Sequence, residues 1–262
     1  MSEPVWLVGA GPGDPELLTR KAEQLIAGAD IIFHDALVGP AILDFARSDA
    51  ELVWVGKRSG RHSREQADIN DLLVKAALTG RRVVRLKGGD PSIFGRSAEE
   101  IECLTAKGIA VRICPGITAA SAAAANGVAS LTLRGLARGL TFVTAHARKG
   151  ESLDLDWHAL TSAENTLAVY MGRAAAPQIA NSLIAAGRDP ATPVMVAVDV
   201  SLPSERLIRG RLSALAFLVE TISEEDPTLL LIGEAVDTAS ADILSCGSEM
   251  EFQAEPFEAK RP

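Results

Sequence analysis

V-R-L-K-G-G-D-P-S-I-F-G-R-S-A-E-E, running from Val84 to Glu100, is the stretch whose reading decides the fold. It opens as a short apolar strand, breaks at Gly88-Gly89-Asp90-Pro91, and resumes past Gly95 as the carboxylate-rich first turn of a helix. Adjacent glycines lack a Cβ and accept positive φ, so a backbone built from them can pass close to a ligand, while Pro91 fixes its own φ and withholds a donor. Taken alone, Gly-Gly-Asp-Pro reads as a tight strand-to-helix turn. Its company changes the expectation: Arg85, Lys87 and Arg96 flank it, and two more turns of the same kind lie elsewhere in the chain. Together they predict a ligand-binding edge carrying cations.

Working outward, the chain alternates short β-rich runs with helical stretches, the pattern of an α/β protein. A first strand at 5–8 runs into Gly9-Ala10-Gly11-Pro12-Gly13-Asp14-Pro15 and then a helix over 16–27. The spacing G-x-G-P-G-D-P is not the dinucleotide fingerprint G-x-G-x-x-G, because two prolines would interrupt a row of phosphate-cradling amides. Strands at 31–33 and 52–55 hand over to His34-Asp35 and to Gly56-Lys57-Arg58. In an open α/β sheet ligands bind at that edge, which positions Asp35 and Lys57 to meet a substrate; Asp35 reads equally well as a turn cap. Arg58, Arg61 and Arg64 lie in a basic loop without apolar anchors, either a solvated loop or an anion clamp. A strand at 110–113 ends in Cys114-Pro115-Gly116-Ile117-Thr118, the third glycine-proline turn, followed by a helix over 118–126 so rich in alanine that a backbone or a flat ligand could come close.

The alternation lapses between Asn126 and Gly139, where a domain boundary is expected, separating residues 1–133 from 134–240, with 241–262 as a flexible tail. Past it, strands are predicted near 140–144, 166–170, 194–198, 207–208 and 229–232, with helices near 176–186 and 214–219. The adjacent runs 194–198 and 207–208 predict an antiparallel hairpin.

Composition narrows the function. The 262 residues carry a net charge of −8, yet residues 1–150 hold 19 Lys and Arg against 16 Asp and Glu, whereas 151–262 hold 7 against 18. An acidic protein lacks the basic face of a nucleic-acid track, but a local pocket for a small anion stays open. Met1-Ser2-Glu3-Pro4 has no basic signal-peptide start and no apolar run spans a bilayer, so a soluble, cytoplasmic protein is expected, with no nucleic-acid or membrane partner. Cys103, Cys114 and Cys246 have neither C-x-x-C spacing nor a histidine cluster beside them, which argues against disulfides and zinc.

Four stretches then carry a resemblance. V-G-A-G-P-G-D-P-E-L-L-T (Val8 to Thr19), V-G-K-R-S-G-R-H-S (Val55 to Ser63), V-V-R-L-K-G-G-D-P-S-I-F-G-R (Val83 to Arg96) and C-P-G-I-T-A-A (Cys114 to Ala120) resemble the uroporphyrinogen-III C-methyltransferases of the tetrapyrrole methylase family. Tyr170-Met171-Gly172 continues the likeness, which runs from Val5 to Val236. It implies a two-domain α/β fold, unlike the Rossmann methyltransferases, with the active site in the cleft between domains. S-adenosylmethionine is the implied methyl donor, S-adenosylhomocysteine its product, and no metal takes part. The implied reaction is double methylation of uroporphyrinogen III to precorrin-2, and the implied assembly is a homodimer. A methyltransferase of the same fold acting on a later corrin intermediate is the alternative.

By motif matching, the resemblance puts cofactor contacts on Pro12, Gly88, Gly89, Asp90, Ile93, Thr118, Ala119 and Met171, with one more near Val200. Asp35 matches the proposed proton acceptor and Lys57 the proposed proton donor. Arg96, Glu99 and Arg134 match substrate-binding residues, and Arg58, Arg61 and Arg64 are available as further guanidinium forks for a substrate with eight carboxylates. Two positions depart from the family: Leu133 stands where a histidine is common, and Val200 stands near a usual glycine.

Overall fold

Five apolar runs of the first half pair side by side as parallel strands in the computed structural model, which describes residues 3–56, 66–145 and 153–237. They are β1 (Val5–Gly9), β2 (Ile31–His34), β3 (Glu51–Trp54), β4 (Val83–Lys87) and β5 (Val111–Cys114), in the order β3-β2-β4-β1-β5. Four helices connect them: α1 (Arg20–Gly28), α2 (Pro40–Leu43), α3 (Gln66–Ala77) and α4 (Ser97–Ala106). The three central strands β1, β2 and β4 are covered on both faces, which is why they carry apolar runs instead of alternation, whereas the edge strands β3 and β5 are largely exposed. Ile31 and Phe33 pack with Leu7, Leu73 and Leu104 on one face, while Ile32 packs with Val8, Leu86 and Ile26 on the other. Each such side chain, fully buried, contributes about 1.5–3 kcal/mol.

The helix expected over 16–27 is divided. A short 3-10 turn, Pro15–Leu17, comes first, with Asp14 accepting from the Glu16 amide. Thr19 then stays extended and its hydroxyl accepts from the Ala22 amide at 3.1 Å, satisfying one of the orphan donors at the start of α1. A cap inside an otherwise helical pattern is what restarts the helix three residues later.

The second half contributes α5 (Ala119–Asn126), β6 (Gly139–Thr144), β7 (Asn165–Tyr170), α6 (Ala176–Ala185), β8 (Pro193–Val198), β9 (Arg206–Arg211), α7 (Leu215–Leu218) and β10 (Thr228–Ile232). Its sheet runs β6-β7-β10-β8-β9, with β6 and β7 parallel and every other pair antiparallel. The predicted hairpin is β8 with β9. β9 is longer than the two apolar residues suggested, because it is an edge strand whose outward positions are arginines.

The alanine-rich helix joins the halves. Ala120, Ala122 and Ala123 of α5 are buried against Ala168, Met195 and Leu231 of the second sheet, so their missing side-chain bulk lets a helix lie flat on it. In the first sheet the chain leaves β2 toward β3 and leaves its neighbour β4 toward β5, in opposite directions. Adjacent strands with diverging connections open a crevice at their C-terminal ends, and Asp35 and the Gly88-Gly89 turn follow those two strands. Among the described residues no helix is long and apolar enough to cross a membrane.

Candidate active site

The three glycine-proline turns meet at one point. The Ala10 amide donates to the Lys87 carbonyl at 2.8 Å, and Gly11 and Gly89 exchange hydrogen bonds of 3.2 and 2.7 Å. A Cβ on Gly116 would lie 2.2 Å from the Gly89 carbonyl oxygen, and one on Gly9 would lie 2.6 Å from the Gly116 nitrogen, so backbone touches backbone at a separation only glycine permits. Gly89 itself has φ +67°, and a Cβ there would meet nothing within 4 Å. It faces open space in a left-handed conformation. Asp90 ties the turns together: its carboxylate accepts from the Ser92 amide at 2.7 Å and from the Gly116 amide at 3.0 Å.

Beside this junction a cleft of about 610 Å³ opens between the two halves, lined by Leu17, Asp90, Ile93, Thr118, Ala122 and Phe142 among others. The sequence-matched Asp90, Ile93 and Thr118 are therefore brought together, with Gly88-Gly89 immediately before them. Tyr170, at the end of β7, anchors the far wall. Its hydroxyl is hydrogen-bonded to the Thr118 hydroxyl and accepts from the Ala120 amide at 3.3 Å, which fixes the first turn of α5 against the second sheet. Burial raises the Tyr170 pKa, against the opposing pull of the Thr118 hydrogen bond, so the phenol stays neutral. Phe94 and Phe142 pack around it with ring centroids 5.2 and 5.9 Å away. No sequence pattern links Thr118 to Tyr170, and only the packed fold pairs them.

Of the other cofactor candidates, Pro12 and Ala119 are half-buried, and Met171 stands exposed directly after Tyr170 with φ 55°. Val200 differs. Its side chain is buried in the cluster around Met195 and Leu229, between Asp199 and Ser201 at positive φ, which leaves only its backbone for a ligand. The Ser201 hydroxyl accepts from the Asp14 amide at 2.9 Å, so this turn of the second half closes onto the first glycine loop.

Asp35 follows β2, and of its two expected roles the turn cap is the one the geometry displays. One carboxylate oxygen accepts from the Leu37 amide at 3.1 Å, a cap, while the other lies 3.6 Å from Arg85, with a quarter of the side chain exposed. Here the structure corrects the sequence reading of the flanking cations. Arg85 and Lys87 are not presented to a ligand; both are buried, and both pair with Glu100, at 3.1 and 2.7 Å. Burial, reinforced by the neighbouring Arg85 charge, pushes the Lys87 pKa down, while Glu100 opposes that shift. Glu100 is fully buried and was missed from the sequence. The available signal was two charges spaced i, i+2 on a buried strand, which demand a partner on the covering helix.

Arg96 and Glu99 form a two-pronged fork, 2.7 Å in each arm, and both remain about half exposed. The hydrogen bond from Arg96 lowers the Glu99 pKa. A substrate carboxylate reaching Arg96 would displace this partner. Arg134 is exposed on the turn closed by the Leu133–Ala137 bridge, between the two sheets in sequence. Lys57, Arg58, Arg61 and Arg64 lie outside the described residues, as does the 241–262 tail. Among the described residues no group of three or more His, Cys, Asp or Glu side chains is gathered as a metal site requires.

The comparisons agree with this geometry. The sequence profile of the tetrapyrrole (corrin/porphyrin) methylases matches residues 4–216. Siroheme synthase from Azotobacter vinelandii is 49% identical over 232 residues, covering 88% of this chain and 50% of that protein. Siroheme synthase from Gluconacetobacter diazotrophicus is 46% identical, covering 88% and 49%. The chain thus spans about half the length of these relatives. Uroporphyrin-III C-methyltransferase from Thermus thermophilus, solved in complex with S-adenyl homocysteine, superposes with a TM-score of 0.75 at 38% identity, over 89% of this chain and 93% of that one. A cobalt precorrin-4 methyltransferase superposes with a TM-score of 0.79 at 27% identity, over 89% and 96%. From the glycine turns, the cleft and these matches, the chain belongs to the tetrapyrrole methylase family.

Proposed function

We propose that this chain is a uroporphyrinogen-III C-methyltransferase, which adds methyl groups at C-2 and C-7 to give precorrin-2 by way of precorrin-1, at the branch toward siroheme and cobalamin. The observation that carries this reading is the junction of Gly9, Gly89 and Gly116 beside an open inter-domain cleft, with a carboxylate, Asp35, at the same sheet edge. The relative solved with S-adenyl homocysteine supports the choice of donor.

The residues present fit S-adenosylmethionine. Gly89 offers a backbone with no side chain over open space, and Asp90, Ile93 and Thr118 line the cleft next to it; Met171 and the backbone at Val200 are the contacts the family resemblance assigns to the second half. When bound, the cofactor supplies an electrophilic methyl group on a sulfonium, so the leaving group already carries the charge and the protein's main task is alignment. Asp35 takes up the proton that the macrocycle releases as its double bonds redistribute after methylation, the methylated carbon itself already bearing a side chain and no hydrogen; it is a carboxylate held by one hydrogen bond, with its other oxygen 3.6 Å from Arg85 and a quarter of the side chain exposed. Lys57 is the proton donor. Arg96, Arg134 and the arginines at 58, 61 and 64 bind the substrate's carboxylates in charge-assisted forks. An arginine stays protonated in proteins and cannot serve as the base, which leaves that role to Asp35. We further propose a homodimer working in the cytoplasm.

The deciding experiment is incubation with uroporphyrinogen III and excess S-adenosylmethionine, followed by mass measurement of the tetrapyrrole over time. The expected result is a product heavier by two methyl groups, preceded by a singly methylated species. A product that stops at one methyl, or an untouched uroporphyrinogen with label transferred to a later corrin intermediate, would move the assignment elsewhere in the family.

A further inference from the structure

The charged groups facing Asp35 come from three elements of the first half. β4 contributes Arg85 and Lys87, α4 contributes Glu100, and β2 contributes the neighbouring His34, whose pKa burial pushes down. Gln66 of α3 adds an uncharged amide that donates to Glu100 at 3.3 Å. The Arg85 guanidinium is pinned by main chain as well, donating to the Leu86 carbonyl at 2.8 Å and to the Phe33 carbonyl at 3.4 Å. Its remaining arms span from Glu100 on one side to Asp35 on the other. Two cations and two carboxylates thus form a chain, Lys87–Glu100–Arg85–Asp35, buried at every member but the last.

A buried ion set of this kind is weak evidence for stability, since the desolvation cost offsets much of the attraction. Glu100 occupies a position on the stripe of α4 that also carries Leu104, where an apolar residue would pack without that cost. Its effect falls on the one member that reaches solvent.

We propose that Glu100 is a positioning residue for Asp35, acting through Arg85 to aim the carboxylate and to balance the positive charge beside it. The inference rests on the reading of Asp35 as the base. With Glu100 charged, the two cations are divided between two carboxylates. Without that charge, Arg85 acts on Asp35 alone while Lys87 loses the partner that opposes its lowered pKa; the added positive potential of Arg85 favours the ionised form of Asp35 and makes it a poorer proton acceptor.

The test is the pH dependence of kcat/KM for uroporphyrinogen in two full-length variants of opposite charge effect, with S-adenosylmethionine affinity measured by calorimetry. Glu100→Gln should keep cofactor affinity, shift the acid limb down by about one pH unit, and lower the plateau about tenfold. Lys87→Met removes a cation and should shift the limb the other way, and it carries the test alone if the first variant does not fold. An acid limb at its wild-type pH in every folded variant overturns the proposal. Asp35→Asn, assayed alongside, separates the two readings. Lost turnover there with unmoved limbs in the others sinks only the role of Glu100, whereas full turnover in Asp35→Asn removes the base and this inference with it.

Discussion

On the proposed reading, Asp35 is one side chain with both a structural and a chemical role. Its cap to the Leu37 amide fixes the carboxylate at the end of β2, and the 3.6 Å approach of Arg85 orients the second oxygen. Asn has nearly the same volume and its amide oxygen can still accept from Leu37, but it has no lone-pair site basic enough to take a proton. Asp35→Asn should therefore fold, bind S-adenosylmethionine normally and lose turnover by about 10²–10⁴-fold, the usual worth of general base catalysis. Normal turnover combined with a lower melting temperature would reduce Asp35 to its cap.

At the scale of elements, the strands and the glycine turns were legible because their signals are local. Short apolar runs mark the strands, and Gly-Pro clusters mark their ends. What could not be read depends on packing. Arg85 and Lys87 looked like ligand cations because nothing in the sequence says which face α4 covers, and β9 was undercounted because an edge strand carries arginines where a central one carries valines. The meeting of Thr118 with Tyr170 spans 52 residues and two sheets. The glycines also divide into kinds that sequence alone does not separate. Gly89→Ala places its Cβ in open space and should cost only the left-handed backbone term, about 1–2 kcal/mol. Gly116→Ala drives a Cβ to 2.2 Å from the Gly89 carbonyl, so the second and third turns must part. It should lower stability by at least the 1–3 kcal/mol typical of overpacking (about that range) and also abolish cofactor binding, read by thermal melting and calorimetry. Wild-type affinity in a folded Gly116→Ala protein would show that the cofactor does not depend on the contact between these turns.

On the proposed reading the whole molecule meets an electrostatic problem: a protein of net charge −8 would have to attract a substrate with eight carboxylates. The unequal division of charge resolves it, because the first 150 residues carry a positive balance while the last 112 hold all of the excess acid. Uroporphyrinogen should thus be drawn to one side of the molecule, where Arg96 and Arg134 stand exposed. Contacts between solvent-exposed charges weaken once the Debye length falls to about 8 Å near physiological ionic strength. The Michaelis constant for uroporphyrinogen should therefore climb as salt is added, while that for S-adenosylmethionine, held largely by backbone and cleft walls, stays nearly level. Arg134→Leu should raise the first constant at low salt, leave the second alone, and flatten the salt dependence, because one of the screened contacts has already been removed. The check is a salt titration of both constants in the two proteins. A slope for uroporphyrinogen that is equally steep with and without Arg134 would place the carboxylate contacts elsewhere on the first half.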